Sequence, residues 1–241
     1  MISSRFAPSL LLALAACGLA AARQSQDWSK VTDPRLFRCC HIGNDGTGVL
    51  LAQDRDALWI LTNASLVSRV AKVHVVDPAS RDWRETTAWV VARSEENGTD
   101  LALLRAAPMP FPPFVTRLAN PITDGTSRDV DLLPVSVSDT PRAYRLPAVG
   151  RMETSTATEA VCVHGGVRQA NSGTPVFDGD RLVGLAQPRT ITAMLENVGD
   201  DGTVAKKKVV GIGASTPQSI EAFLRANGHA ALADRLTDAT R

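Results

Sequence analysis

An all-β fold in two strand sets, closed by a short helical end, is what this sequence predicts. Three observations lead there. Short apolar or alternating runs are separated by turn residues, a proline cluster divides those runs into two groups, and a capped 3.6-residue pattern appears only near the end of the chain. In the first group, Gly46-Thr47-Gly48-Val49-Leu50-Leu51 and Leu58-Trp59-Ile60-Leu61 flank Asp54-Arg55-Asp56, as the arms of a hairpin would. Val73-His74-Val75-Val76 alternates like a half-buried strand, and Thr86 to Ala92 and Leu101 to Leu104 complete the set. Pro108-Met109-Pro110-Phe111-Pro112-Pro113 lacks the N–H groups a ladder needs and reads as a stiff connector. The second group comprises Val130 to Val137, Glu159 to Val163, and Thr174 to Phe177 facing Leu182 to Leu185 across Asp178-Gly179-Asp180. Thr216 suits a helix N-cap and Pro217 the first helical position. Ile220, Phe223 and Leu224 form one apolar face, Asn227-Gly228 is a stop, and Ala230 to Leu236 offers a second short helix.

Composition narrows the function classes. The chain has 241 residues, 44% hydrophobic content and a formal net charge of +1, which gives no electrostatic case for nucleic acid. Lys206-Lys207-Lys208, the one basic run, sits beside Gly199-Asp200-Asp201-Gly202 and reads as a solvated hairpin. Met1 to Arg5 followed by the apolar Leu10 to Ala16 reads as an export signal, too short to span a bilayer. Leu14-Ala15-Ala16-Cys17-Gly18 resembles a bacterial lipobox, which would lipidate Cys17. Cleavage after Ala20-Ala21-Ala22 would instead discard it. The expected placement is therefore periplasmic or cell-envelope, lipid-anchored or else secreted. Membrane contact would come only through the lipid anchor. Without Cys17, the odd set Cys39, Cys40 and Cys162 suggests one pair plus a free thiol. Adjacent Cys39 and Cys40 point to opposite strand faces, so at most one could face Cys162. No metal or organic cofactor is implied.

Three blocks carry chemistry. Asn171-Ser172-Gly173-Thr174-Pro175 places a serine in a turn ahead of a strand. Thr99-Asp100-Leu101-Ala102-Leu103-Leu104-Arg105 places a carboxylate at a strand start. Leu61-Thr62-Asn63-Ala64-Ser65-Leu66-Val67 ends the upstream hairpin. In order and spacing they resemble the trypsin-like (chymotrypsin-fold) serine peptidases, nearest the bacterial high-temperature-requirement type, with Gly46-Thr47-Gly48 as the preceding strand motif. The resemblance covers about residues 36–226. It implies two six-stranded antiparallel β-barrels with a short C-terminal helix. The implied boundaries are 1–22 signal, 23–35 lead-in, 36–107 first barrel, 108–116 connector, 117–213 second barrel and 214–241 helical segment. By resemblance Ser172 is the nucleophile position, Asp100 the orienting carboxylate, and the N–H groups of Ala170 and Ser172 the oxyanion hole.

Two departures from that pattern matter. Ser65 stands where the resemblance puts the base histidine, and a hydroxyl has almost no proton affinity near neutral pH. Loss of the triad histidine in a related mechanism costs on the order of 10⁶ in kcat, about 8–9 kcal/mol of barrier. Ala170 replaces a glycine whose positive φ would cost a residue with a Cβ about 1–2 kcal/mol. Thr174 in place of a second glycine is a milder change. His41, His74 and His164 could replace the base only by proximity in the fold. A carboxylate without its histidine still needs donors, and Ser65 is the expected partner of Asp100. The expectation is a catalytically inactive exported protein that binds a peptide or protein, with the Thr190 to Val209 excursion as a candidate surface. The alternative is an active serine endopeptidase with a non-standard base.

Overall fold

The computed structural model describes residues 31–44, 46–95, 99–121, 127–135, 144–150, 161–164, 172–198 and 204–237. The segment read as an export signal, with Cys17, the expected oxyanion residue Ala170, Asn171 and residues Gly199 to Gly202 lie outside them, as do the side chains of Cys162, His164 and Lys206 to Lys208.

The first lobe is built from β1 (Cys39–Ile42), β2 (Gly46–Gln53), β3 (Leu58–Thr62), β4 (Val70–Val76), β5 (Trp83–Ser94) and β6 (Leu101–Ala106). They pair antiparallel in the order β1-β4-β5-β6-β3-β2, and β1 also pairs β2, so the ring closes on itself. β7 (Phe114–Val115), at the end of the proline connector, pairs with β2 at Ala52 and Gln53 and stitches the connector to this lobe. Gln53 adds to that seam: its side-chain amide donates to the Met109 and Phe111 carbonyls at 3.1 and 2.6 Å. The second lobe is a closed barrel of β8 (Ser127–Leu132), β9 (Tyr144–Gly150), β10 (Val161–His164), β11 (Pro175–Asp178), β12 (Arg181–Val198) and β13 (Val204–Ala214), in the order β10-β13-β12-β11-β8-β9.

The continuous apolar run Leu101 to Leu104 is explained by burial on both faces of β6. Ala102 and Leu104 face the first barrel's interior with Ile42, Leu50 and Ile60. Leu101 and Leu103 face outward into a layer with Leu51, Leu133, Phe177 and Leu185, where the two lobes meet the helices. Val130, Leu132, Val176 and Val183 fill the second barrel. Each large side chain removed from water in this way is worth about 1.5–3 kcal/mol.

The helical end forms as its sequence signals. In α1 (Pro217–Ala226) the Thr216 side chain accepts from the Ser219 amide, and the Ser219 hydroxyl accepts from the Thr216 amide. α2 (Ala230–Thr237) then fastens to both lobes. Arg235 donates to Asp54 at 3.0 Å, and the Leu118 amide donates to the Leu236 carbonyl at 2.9 Å.

Three elements differ from expectation. The strand expected over Val130 to Val137 ends at Leu132, because Pro134 follows and the Leu133 amide turns to the Pro175 carbonyl at 3.0 Å. β9 was not anticipated, since Pro147 argues against a strand; in the barrel it lies opposite Asp129. The β11–β12 turn is centred on Gly179 and Asp180, with Asp178 opposite Arg181 and Gly179 at φ +59°.

The cysteine expectation is also corrected. Cys39 and Cys40 are both free, buried thiols. They do point to opposite faces, but Cys40 lies in the first barrel's interior and Cys39 in the layer outside it, whereas Cys162 is on β10 of the other barrel. Burial pushes both thiols well above the ordinary value, so neither is a ready nucleophile.

A 3-10 turn at Pro34–Arg38 ties the lobes together from the N-terminal side. Arg35 donates to Asp33, to Asp131 on β8 at 2.7 Å and to the Gly179 carbonyl at 2.7 Å. Arg81 anchors the same arm from the first lobe, donating to the Val31 carbonyl at 2.7 Å and lying over the Phe37 ring. Chiefly through the Arg35 hydrogen bonds, the Asp33 carboxyl is held below its ordinary value. A lowered folded value means the contribution is present at neutral pH and lost as pH falls through the carboxylate range. Arg35→Ala is expected to cost about 1–3 kcal/mol at neutral pH and less under acid conditions. Urea unfolding at both pH values checks this, and an equal loss at both would refute the linkage.

Candidate functional site

The turn carrying Ser172 is docked onto the first lobe by its backbone. The Thr47 amide donates to the Ser172 carbonyl at 3.0 Å, and the Gly173 amide donates to the Ala186 carbonyl at 3.0 Å. The Ala186 amide returns a bond to the Thr174 carbonyl at 2.8 Å. Gly173 has φ +81°, and a Cβ there would sit 1.9 Å from the Thr47 carbonyl oxygen. Only glycine permits both the left-handed backbone and this approach. The Thr62 hydroxyl, at the end of β3, donates to the same Thr47 carbonyl at 2.7 Å. The Gly46-Thr47-Gly48 motif is thus the surface on which the serine turn rests.

Ser65 sits in a 3-10 turn, Ala64–Leu66, directly after β3. Its amide donates to Asp100 Oδ1 and its hydroxyl to Asp100 Oδ2, both at 2.8 Å. The Asn63 side chain donates to the Asp100 carbonyl at 2.8 Å, locking the start of β6 to the end of β3. The Asp100 carboxylate is therefore half-buried and paired with Ser65, as its need for donors predicts. Sequence reasoning missed the part played by Asn63. A buried polar Thr62-Asn63 pair at the end of an apolar strand was the available signal.

Ser172 itself is half-buried. Among the described residues no histidine bonds its hydroxyl. His41 on β1 lies across from His74 on β4, with ring centroids 5.9 Å apart. His74 Nε2 is 3.6 Å from Glu85 Oε2, and its ring stands edge-on to Trp83. These two histidines form a cross-strand row on the first barrel. His229 packs against Trp59. The backbone of His164 lies opposite Gly211 at the end of β10. Among the described residues, no group of three or more His, Cys, Asp or Glu is placed to hold a metal.

The arrangement contains a serine in a pinned turn, a carboxylate at a strand start and, ahead of both in chain order, a hydroxyl that donates to the carboxylate. Two β-barrels with these positions at their junction define a chymotrypsin-type fold. The trypsin-like peptidase domain family matches residues 46–185, more than half of the chain, and the chain belongs to that family. Among solved structures, it is similar to an inactive form of Rv3671c from M. tuberculosis H37Rv, with TM-score 0.52 and 19% identity over 85% of this chain and 95% of that one. It is also similar to the apo form of the MamO protease domain from Magnetospirillum magneticum, with TM-score 0.47 and 16% identity over 80% of this chain and 98% of that one. No curated protein matches.

Proposed function

We propose that this trypsin-like peptidase-fold protein is exported, held at the cell envelope by a lipid on Cys17, and catalytically silent, acting by binding a peptide or protein segment. The observation that carries this reading is the occupation of Asp100 by Ser65. Both carboxylate oxygens accept from residue 65, through its amide and its hydroxyl, and neither group can take a proton from Ser172 at neutral pH. A serine without a base remains a weak nucleophile. Residual acceleration from an oxyanion site and binding alone is roughly 10³–10⁴ over water, too little for a working peptidase.

The Thr190 to Val209 excursion supports a binding role as a ribbon rather than a loop. β12 and β13 stay paired from Thr190 opposite Ile212 to Val198 opposite Val204, with Lys206, Lys207 and Lys208 opposite Glu196, Leu195 and Met194. A defined mixture of unrelated peptides incubated with wild type and Ser172→Ala, with products read by mass spectrometry, tests the proposal. Identical product sets are expected. Cleavage present in wild type and absent from Ser172→Ala would instead establish an endopeptidase with a non-standard base, and His164 would be the first residue to substitute.

A further inference from the structure

We propose that the outer face of the first barrel, running from the Ser65 end of the site across β4 and β5, is a docking surface for an extended acidic protein segment that carries apolar side chains. The proposal rests on the reading of the chain as a binding protein and names where and what it binds. Its decisive observation is a coincidence of exposure. Val70, Trp89 and Val91 are the large hydrophobic side chains left exposed among the described residues, at 50%, 53% and 42%, and all three lie together. Val70 on β4 is the direct cross-strand partner of Trp89 on β5, and Val91 follows at the β-bulge between Val90 and Ala92. Contiguous exposed apolar surface of this kind marks interaction sites, and tryptophan and arginine dominate the binding energy of interfaces.

The patch continues into a groove of about 540 Å³, to which Val70 also belongs. One wall is the β1–β2 turn, where Gly43 takes φ +61° and its amide donates to the Lys72 carbonyl at 3.0 Å. The other wall begins at Leu66, the residue after Ser65, and includes Val67 and Ala71. The groove therefore runs along β4 from Leu66 and Val70 to His74 and Glu85, and it meets the exposed patch at Val70, the partner of Trp89. A groove whose lining mixes apolar side chains with Asn44, Ser68, Lys72, His74 and Glu85 accommodates a chain segment with its polar backbone, whereas a flat bilayer would meet only its rim.

Charge sets the sign of the partner. Within this face Lys72 is paired with Glu85 at 3.0 Å, and Arg93 is paired with Glu95. Arg69, next to Val70, and Arg105, the cross-strand partner of Trp89, have no carboxylate partner among the described residues; Arg105 reaches only the Asp56 carbonyl at 3.2 Å. The uncompensated charge is positive and borders the apolar patch, so an acidic segment is the complementary occupant.

The test uses the full chain carrying Ser172→Ala, so that any cleavage cannot consume the probe. A displayed library of random linear peptides is panned on it, and the enriched consensus peptide is measured by fluorescence anisotropy. The expected consensus combines acidic residues with an aromatic or aliphatic one. Trp89→Ala is expected to weaken its Kd at least tenfold, with an unchanged circular dichroism spectrum. Arg69→Glu, an exposed substitution that leaves the apolar patch intact, is expected to weaken it most at low salt. A consensus that binds both variants as tightly as the parent overturns the proposal, as does the absence of any enriched peptide. Trp89-dependent binding to phosphatidylglycerol vesicles without peptide binding would make the face a membrane surface instead and equally overturn it. Reactivity of wild-type Ser172 would sink the silent-enzyme reading while leaving this surface standing.

Discussion

Ser65→His is expected to switch on peptide hydrolysis that wild type lacks, with a gain of at least about 10² in kcat/KM. The reasoning starts from what residue 65 already does. Its backbone amide is bonded to Asp100 Oδ1, so the main chain at this position is held correctly for a side chain that also addresses the carboxylate. An imidazole there could donate one N–H to Asp100 Oδ2 in place of the serine hydroxyl and keep its other nitrogen as a base. The full loss on removing such a histidine is on the order of 10⁶ in kcat. The expected gain is smaller because Ala170 and Thr174 still depart from the glycines that the resemblance implies at those positions. If the glycine of the family's pattern is needed at position 170, adding Ala170→Gly to Ser65→His should recover up to roughly tenfold more, the equivalent of about 1–2 kcal/mol. Hydrolysis of a peptide pool by the single and double variants, with Ser172→Ala as control, checks both steps.

Gly173→Ala is expected to be the most damaging small substitution in the site, destabilising the protein by about 3–5 kcal/mol or preventing its folding. The left-handed backbone alone would cost about 1–2 kcal/mol. The rest comes from the 1.9 Å approach to the Thr47 carbonyl, which can be relieved only by pulling the turn from Thr47 and Ala186. Gly179→Ala is the matched control. It has φ +59° but nothing within 4 Å of the added Cβ, so only the conformational cost of about 1–2 kcal/mol applies. Urea unfolding midpoints of the two variants separate the effects. Equal losses would show that the contact with Thr47 contributes nothing.

The sequence made local features of the fold legible and left the long-range ones obscure. The β2–β3 hairpin and the α1 cap were readable because their signals lie within a few residues of each other. Asp54 Oδ1 accepts from the Asp56 and Ala57 amides, and Thr216 and Ser219 bond reciprocally. β9 was not, because Pro147 is tolerated only through its place in a closed barrel beside β8. The cysteine argument failed for a similar reason. Counting thiols says nothing of burial, and Cys39 and Cys40 are packed into separate cores. The Ser65–Asp100 contact was legible from chemistry, since a half-buried carboxylate must find donors and the motif order left only residue 65. The exposed Val70–Trp89 pair was not, because the sequence marks both strands but not which face stays uncovered.

The measurement that bears most directly on the missing base is fluorophosphonate labelling of purified wild type beside Ser65→His and Ser172→Ala. No labelling of wild type, with labelling of Ser65→His that disappears when Ser172→Ala is added, is the predicted result. Labelling of wild type that is lost in Ser172→Ala would contradict the account and place an active serine in this fold.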